Sequence, residues 1–439
     1  MTFRRALGPF DATMVVVGGI IGSGIFILPS VVAQRLETSG LVLAAWIAGG
    51  AIAIAGAFAF AELATLIPHA GGEYVYLREA YHPLVAFLFG WASLLMIQGG
   101  GLGAVAITFS EYALRLTGRS GANAAIWAAV AIAVVAAVNV VGVKPGSRLL
   151  NVLVLLKLGA LAALIVGGLL FSPATPVSAP RPPAAVSGTL VAFGAALVPI
   201  LFAYGGWQSV NILAEETREP RRTLPLALMA GTAIVIAVYL FANVVYLQAL
   251  GHDGLAATMT PASDAVHRIF GPRADGLVAA AIAVSAFGFL DLTLLAQTRI
   301  YYAMGSDGSF LPALGRLHPR FQTPALAILL QAAWGIVLVL TGTFGELVDS
   351  VVFGDWIFFG LTVAAVFRFR RRMPVLQRET GAFRTPGYPI LPALFVLAAL
   401  LVVASAIHSN PRRSGIGAIL LATGVPVYFF SARTRRPSR

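Results

Sequence analysis

Two stretches of this sequence combine glycine with apolar residues in a way that frees backbone groups for binding. The first, residues 17–26 (VGGIIGSGIF), holds four glycines and a serine, and the second, residues 202–209 (FAYGGWQS), holds a glycine pair between aromatic residues. Each stretch lies inside a long apolar run. Because glycine weakens a helix, we predict that both runs are helices interrupted at these points.

An interrupted helix in an apolar environment leaves backbone N–H and C=O groups without partners, and each costs several kcal/mol unless something bonds to it. N–H groups that open the second half-helix attract a carboxylate, helped by the helix dipole. C=O groups that end the first half-helix attract an ammonium. An α-amino acid carries both charges on one carbon, so two crossed, interrupted helices suit it.

Close helix packing is the competing interpretation of these glycines, and it would be the better one for a single motif. Here the breaks fall in the first and the sixth apolar runs. Paired glycine-interrupted runs in corresponding positions point to a transporter's binding site, which favours binding.

Lys157 lies among apolar residues in the fifth run. A charge there costs at least about 2.5 kcal/mol on insertion scales, so the side chain either extends to the membrane surface or faces other helices. We expect it to face the bundle and to donate to the carbonyls freed at residues 17–26, as a bound cation would. Because burial disfavours the charged form, Lys157 could also release its proton during transport.

Few other polar groups interrupt the apolar runs. Asp291 either pairs with hydroxyls or amides of a neighbouring helix or lines a substrate pathway, and the sequence leaves both open. Glu62 is expected to pair with a loop arginine. Residues 215–222 are expected to form salt bridges with neighbouring loops, either as a gate or as a plain connection.

The sequence lacks the residue clusters that are typical of catalytic or metal-binding sites. There are no cysteines, and the six histidines fall at the ends of the runs or between them. A membrane-embedded enzyme would need histidine or carboxylate clusters at helical spacing. We therefore predict no enzyme activity, no metal and no cofactor.

The composition places these groups in a membrane. Of 439 residues, 58% are hydrophobic and 11% are charged, with a mean hydropathy of +0.86, whereas a soluble domain carries about 25% charged residues. The runs are long enough to cross a bilayer as helices and do not alternate as β-strands would. The net charge of +12 lies in short basic clusters between the runs, which fits membrane topology and argues against nucleic-acid binding.

We predict an all-α polytopic protein with twelve transmembrane helices. They cover residues 11–33, 40–67, 83–115, 123–143, 149–171, 188–212, 224–250, 276–304, 324–342, 347–368, 389–407 and 414–431. Residues 71–82 predict a short interfacial helix, and the polar residues 252–273 predict a lid. The distribution of Lys and Arg places both termini in the cytoplasm.

The first and sixth runs are equivalent if the chain contains two repeats of five helices, of which the second is inverted because five is odd. The predicted parts of the chain are a single transmembrane domain (1–431), its two repeats (11–171 and 188–368), two extra helices (389–431) and a basic cytoplasmic tail (432–439).

The chain resembles the amino acid–polyamine–organocation superfamily, and within it the L-type amino acid transporter branch and its bacterial relatives. The resemblance rests on residues 19–26 (GIIGSGIF), on the segment 62–76, on residues 202–220 and on Lys157. It implies the LeuT-type fold of five plus five helices in an inverted repeat, with helices 1 and 6 unwound.

The resemblance implies a substrate site at the two breaks. The residues of that site are Ile20, Gly22, Ser23, Gly24, Phe202, Ala203, Tyr204, Gly205 and Trp207. The substrate carboxylate would meet the N–H groups of Ser23 and Gly24. The amine would meet the carbonyls of Ile20, Phe202 and Gly205.

Gating and coupling roles also follow from the resemblance. Phe202 would act as a gate, and Trp207 would shape the side-chain pocket. Lys157 would occupy the place where sodium-coupled relatives bind an ion, linking span 1 to span 8 through Ser285. Asp291 stands where an uncharged polar residue is expected, and it would widen a neutral substrate range if it faced the pocket.

The function implied is sodium-independent exchange of small or neutral L-amino acids across the cell membrane by alternating access. The alternative is proton-coupled uptake, or uptake of polyamines or cationic amino acids. The expected partners are the substrate and the lipid bilayer. Animal relatives join a heavy-chain glycoprotein through a cysteine, and because this chain has none, we predict a stand-alone protein.

Overall fold

The structure is a computed structural model that describes residues 3–119, 123–171, 189–271, 274–342, 344–372, 382–409 and 411–433. Within these ranges the regular elements are all helices, and the only β-type pairing is an isolated bridge between Leu7 and Thr217. The predicted all-α fold is confirmed. The tail from residue 434 onward lies outside the described residues.

The first part of the chain forms eight α-helices. They are α1 (Pro9–Ile20), α2 (Gly24–Arg35), α3 (Ser39–Leu66), α4 (Glu73–Ala80), α5 (Pro83–Ala92), α6 (Gln98–Leu116), α7 (Ala124–Val141) and α8 (Val143–Phe171). A π-helical turn, Ser93–Ile97, joins α5 to α6 in one continuous span.

The second part continues the pattern. Its helices are α9 (Thr189–Ala203), α10 (Ser209–Ile212), α11 (Pro220–Ala257), α12 (Pro261–Phe270), α13 (Asp275–Leu292), α14 (Thr298–Ser306), α15 (Ala325–Thr341), α16 (Phe344–Arg372), α17 (Ile390–Ser409) and α18 (Pro411–Arg433). A second π-helical turn, Thr293–Gln297, joins α13 to α14.

Within the described residues, eight helices are long and apolar enough to cross a membrane, and the bent pair α1 and α2 makes a ninth if it is counted as one span. The shorter apolar helices Leu190–Ala203 and Ala325–Thr341 fall where the sixth and ninth spans were predicted. The protein is thus a multi-pass membrane protein, while the count of twelve spans stays a prediction.

Two predicted non-spanning segments are helical. Helix α4 lies within residues 71–82, and six of its eight residues are buried, so protein rather than solvent covers most of its surface. In the segment 252–273, α11 continues past a kink at Gly251 and is followed by α12. The imidazole of His252 lies 2.9 Å from the carbonyl oxygen of Leu36, which joins this segment to the end of α2. Its role as a lid stays a prediction.

Two arginines lie on helices and pair with buried carboxylates, so the partner of Glu62 is a helical arginine and not the loop arginine that was predicted. Arg299 is on α14, is fully buried and donates to Glu216 at 2.7 and 3.2 Å. Arg370, near the end of α16, donates to both oxygens of Glu62 at 2.7 Å. A bidentate pair neutralises the guanidinium and bonds it in a fixed geometry, which allows an arginine to be withdrawn from the surface.

We expect Glu62→Gln to lower the free energy of unfolding by roughly 2–3 kcal/mol, because it leaves a partly buried guanidinium without its counter-charge. The backbone N–H of Thr385 also donates to Glu62, at 2.8 Å, so α3 would lose its connection to two segments. Thermal unfolding of the purified protein in detergent measures the effect. Arg371→Gln, at the exposed neighbour of Arg370, is the control, and an equal melting temperature for both variants would contradict the prediction.

Candidate functional site

The first predicted break is present between α1 and α2, whose axes differ by 42°. Helix α1 ends at Ile20 and α2 begins at Gly24. The N–H groups that open a helix have no intrahelical partner, and in the described part of the chain those of Ser23 and Gly24 make no backbone hydrogen bond outside their own helix. The Ser23 side chain makes no capping bond and is exposed. These N–H groups are therefore open to an anionic ligand.

The second break lies between α9, which ends at Ala203, and α10, which begins at Ser209. Gly206 adopts φ +110°, a conformation that residues with a side chain rarely adopt. Its N–H donates to the side-chain oxygen of Gln208 at 3.0 Å, and the N–H of Gly205 donates to the carbonyl of Phe202 at 3.1 Å. The turn is thus closed by its own short-range bonds.

The two breaks cross in direct contact. A Cβ on Gly19 would overlap the carbonyl oxygen of Gly206, and a Cβ on Gly206 would overlap the carbonyl oxygen of Gly19. The start of α2 also approaches the end of α9, since a Cβ on Gly24 would lie 3.3 Å from the Cβ of Ala203. The glycines therefore serve both interpretations offered by the sequence, since they interrupt the helices and let the interrupted segments touch.

Three side chains donate to carbonyls of the first break. The ammonium of Lys157, on α8, donates to Ile21 at 2.6 Å and to Gly18 at 3.2 Å. The hydroxyl of Ser285, on α13, donates to Ile21 at 3.4 Å. Lys157 is fully buried, so it faces the bundle as expected, and Ser285 connects the break with α13.

The third donor, Tyr239 on α11, was missed by the sequence analysis. Its hydroxyl donates to the carbonyl of Ile20 at 3.0 Å and to that of Ala203 at 3.3 Å, so it bridges the two breaks. The N–H of Gly22 also donates to Ile20, at 2.9 Å. Tyrosine in an apolar run was the available signal, but only the packing of α11 against α1 shows where its hydroxyl points.

The predicted substrate-site residues divide by exposure. Ser23 and Phe202 are exposed, the latter by 45%, and Gly22, Gly24 and Gly205 are partly exposed. The other four are buried, namely Ile20, Ala203, Tyr204 and Trp207. Only the exposed and partly exposed residues present a surface that a ligand could contact in this conformation.

The buried aromatic residues support the second break from behind. The hydroxyl of Tyr204 donates to the carbonyl of Trp46 at 3.3 Å. The ring centroid of Trp207 lies 4.7 Å from that of Phe60 and 5.9 Å from that of Phe359 on α16. Trp207 therefore packs the second break against α16. Its predicted role in the side-chain pocket stays a prediction.

Asp291 is placed away from the breaks. It is fully buried on α13, and one of its oxygens accepts from the side-chain amide of Asn139 on α7 at 2.7 Å. Its neighbour Leu292 is the residue that faces span 1, because a Cβ on Gly19 would lie 3.2 Å from the Leu292 side chain. Of the two alternatives left open, this structure has the pairing with a neighbouring amide, and a role of Asp291 in coupling stays a prediction.

The segments next to the two breaks are also bonded to each other. The N–H groups of Ala6 and Leu7, which precede α1, donate to the carbonyl of Glu216 at 2.9 and 3.0 Å. The N–H of Arg218 donates back to Leu7 at 2.9 Å. The side chain of Glu216 binds Arg299 on α14 with both groups buried. Burial raises the pKa of Glu216, and Arg299 acts in the opposite direction.

Comparisons with known proteins agree with this architecture. The family model described as "Amino acid permease" matches residues 7–429. The chain is thus a multi-pass membrane transport protein and not an enzyme. It belongs to the amino acid permease family, within the amino acid–polyamine–organocation superfamily, as the motifs at the two breaks indicated.

Curated relatives align with nearly the whole chain. The serine/threonine exchanger SteT of Bacillus subtilis (strain 168) is 30% identical over 97% of this chain and 96% of its own length. The human b(0,+)-type amino acid transporter 1 is 32% identical over 98% of this chain and 88% of its own. The human large neutral amino acids transporter small subunit 2 is 32% identical over 98% of this chain and 81% of its own length.

We expect Gly206→Ala to reduce amino acid uptake at least about tenfold and to lower the melting temperature. The added Cβ overlaps the Gly19 carbonyl and the residue has a positive φ, so the breaks must separate, at a cost above the ~1.4 kcal/mol that corresponds to a tenfold change. Uptake into proteoliposomes and thermal unfolding measure the two effects. Gly194→Ala, on α9 with no atom near its Cβ, is the matched control. Wild-type uptake by Gly206→Ala would refute the contact between the breaks.

Proposed function

We propose that this permease exchanges small or neutral L-amino acids across the cell membrane, without sodium, by alternating access. The observation that carries the proposal is the contact between two interrupted helices, one of which presents the open N–H groups of Ser23 and Gly24 beside the exposed Phe202. This arrangement offers donors for a carboxylate and carbonyls for an ammonium within one site.

The amine of the substrate binds the carbonyls of the second break first. In the conformation described, the carbonyl of Ile20 already accepts from Tyr239 and from Gly22, which uses both of its lone pairs. The carbonyl of Phe202 accepts one bond, from Gly205, and keeps one lone pair. For Ile20 to receive the amine as well, the Tyr239 hydroxyl must turn away.

Lys157 takes the place of a coupling sodium ion in this proposal. Its ammonium bonds two carbonyls of the first break, those of Gly18 and Ile21, and Ser285 bonds one of the same pair. A fixed cation at this position supplies the donors that a bound ion would supply by coordination. Transport therefore needs no sodium gradient.

Alternating access needs one end of the site closed while the other is open. The buried pair of Glu216 and Arg299 supports closure at the end of α10 and α14. The exposure of Ser23 and Phe202 supports access from the side of α2 and α9.

The organisation that we propose divides the domain 1–431 into two inverted repeats, 11–171 and 188–368, and the extra helices 389–431. In this arrangement both termini are cytoplasmic. None of the 439 residues is a cysteine, so no disulfide to a partner chain can form, and we propose that the transporter works alone.

Counterflow tests the exchange directly. We expect radiolabelled alanine or serine to accumulate several-fold faster in proteoliposomes preloaded with the same unlabelled amino acid than in empty ones, with no change when choline replaces sodium. A proton gradient applied across empty liposomes separates proton-coupled uptake from exchange. If no amino acid of a broad panel shows counterflow, the proposed function is wrong.

Replacing Lys157 by alanine tests the sodium substitute. We expect Lys157→Ala to lower exchange at least about tenfold, because the carbonyls of Gly18 and Ile21 lose charged hydrogen bonds, each worth about 1.5–3 kcal/mol. Arg148→Ala, at an exposed position of the same helix, controls for general damage to α8. Exchange at the wild-type rate in Lys157→Ala would remove Lys157 from the mechanism.

A further inference from the structure

A basic cavity of about 470 Å³ opens where α1 and α11 begin. The residues that line this basic cavity are Arg5, Pro68, Glu219, Pro220, Arg221 and Arg222. All three arginines are exposed, and in the described part of the chain none of their guanidinium groups makes a hydrogen bond or an ion pair. Three guanidinium groups and one carboxylate leave a net charge of +2 around the cavity.

Backbone and side-chain hydrogen bonds hold the walls of the basic cavity together. The N–H of Arg218 donates to the carbonyl of Leu7 at 2.9 Å, and its side-chain Nε donates to the carbonyl of Arg5 at 3.5 Å. Arg221 and Arg222 follow in the first turn of α11. Guanidinium groups that share one cavity repel each other, so an anion bound between them is favoured.

The basic cavity lies at the level of the lipid headgroups. The apolar part of α11 begins at Leu224, two residues after Arg222, and α11 is long and apolar enough to span a membrane. On the other wall, Pro68 comes shortly after the end of α3 at Leu66. In the proposed orientation this end of the bundle meets the cytoplasmic leaflet, which carries anionic lipids.

A second cavity lies between the same two helices, deeper in the membrane. This apolar groove has a volume of about 560 Å³, and it is lined by Ile54 of α3 and by six residues of α11 between Ala233 and Val244, all of them apolar. Ala233, Ala237 and Phe241 are exposed. The groove therefore opens towards lipid and fits a hydrocarbon chain.

The basic cavity and the apolar groove lie on one face of α11. Ala233 follows Arg222 by 11 residues, which gives a rise of about 16 Å and, beyond whole turns, a rotation of only about 20°. Leu226, between them on this face, is 48% exposed. Along α3, Ile54 and Leu66 are 12 residues apart, or about 18 Å. Because the headgroup surface lies about 20 Å from the bilayer midplane, one lipid reaches both places.

We propose that these two cavities together form a binding site for one anionic phospholipid. Its phosphate binds the guanidinium groups of Arg5, Arg221 and Arg222. One of its acyl chains fills the apolar groove between α3 and α11. This inference goes beyond the proposed function, since it does not depend on which amino acid is carried or on whether transport is an exchange.

Charge and shape together select this ligand. A guanidinium group binds a phosphate through parallel, charge-assisted hydrogen bonds. A zwitterionic headgroup brings its own cation, which the three arginines repel, so phosphatidylglycerol binds more tightly than phosphatidylcholine. A soluble phosphate has the charge but no acyl chain, and it gains nothing from burying apolar surface in the groove.

Lipid titration of the full chain, purified in detergent, tests the proposal. We expect phosphatidylglycerol to raise the melting temperature by mass action and to bind at least about tenfold more tightly than phosphatidylcholine with the same acyl chains. Replacing Arg5, Arg221 and Arg222 together by glutamine should weaken the binding of phosphatidylglycerol at least about tenfold. Glutamine at Arg316, Arg371 and Arg372, which are exposed and outside the basic cavity, removes the same charge and is the matched control.

Two single substitutions separate the parts of the site. Glu219→Gln removes the carboxylate that lines the basic cavity and should tighten phosphatidylglycerol binding severalfold, a gain that misfolding cannot produce. Ala237→Phe places a ring in the apolar groove and should weaken this binding severalfold. Ala133→Phe, at an exposed position of α7, is its control and should leave the binding unaltered.

Three results would overturn the proposal. Equal affinity for the two lipids, or an equal loss in the two triple variants, would show a general attraction to basic surface instead of a site. Stabilisation by inorganic phosphate or glycerol 3-phosphate as strong as that by phosphatidylglycerol would show that the cavity takes a soluble anion. Unchanged binding in both Glu219→Gln and Ala237→Phe would place the lipid elsewhere.

Discussion

The requirement that no backbone group in the membrane stays without a partner governs this structure. Where α1 ends, its last carbonyls lose their intrahelical donors, and side chains from three other helices supply replacements: Lys157, Ser285 and Tyr239. Each donor has a definite place only because its helix packs against the break. The positions of α8, α11 and α13 therefore depend on the break in span 1, because their side chains replace the hydrogen bonds that the break removes.

Hydrogen-bond donors of different strength meet at this break. The ammonium of Lys157 bonds two carbonyls at once, and its burial is tolerable because those bonds replace its hydration. The hydroxyl of Tyr239 is neutral, and it lies within hydrogen-bond distance of the carbonyls of Ile20 and Ala203. The charged donor Lys157 therefore lies beside the neutral and weaker donor Tyr239.

Local residue chemistry made part of this arrangement predictable. The breaks followed from glycines at residues 17–26 and 202–209, and the position of Lys157 followed from the cost of a charge facing lipid. The partners of Arg299 and Asp291 could not be read from the sequence. They depend on the rotation of one helix against another over long sequence separations, and a rotation of 100° exchanges a lipid-facing residue for a bundle-facing one.

The backbone bonds between residues 6–7 and residues 216–218 have a mechanical consequence. They tie the segment before α1 to the segment after α10, so α1 and α10 are joined both by these bonds and by the contact of Gly19 with Gly206. A force applied near the amino terminus would be felt at both breaks together. Tags, linkers or binding proteins attached there would therefore pull on the connection between the two breaks.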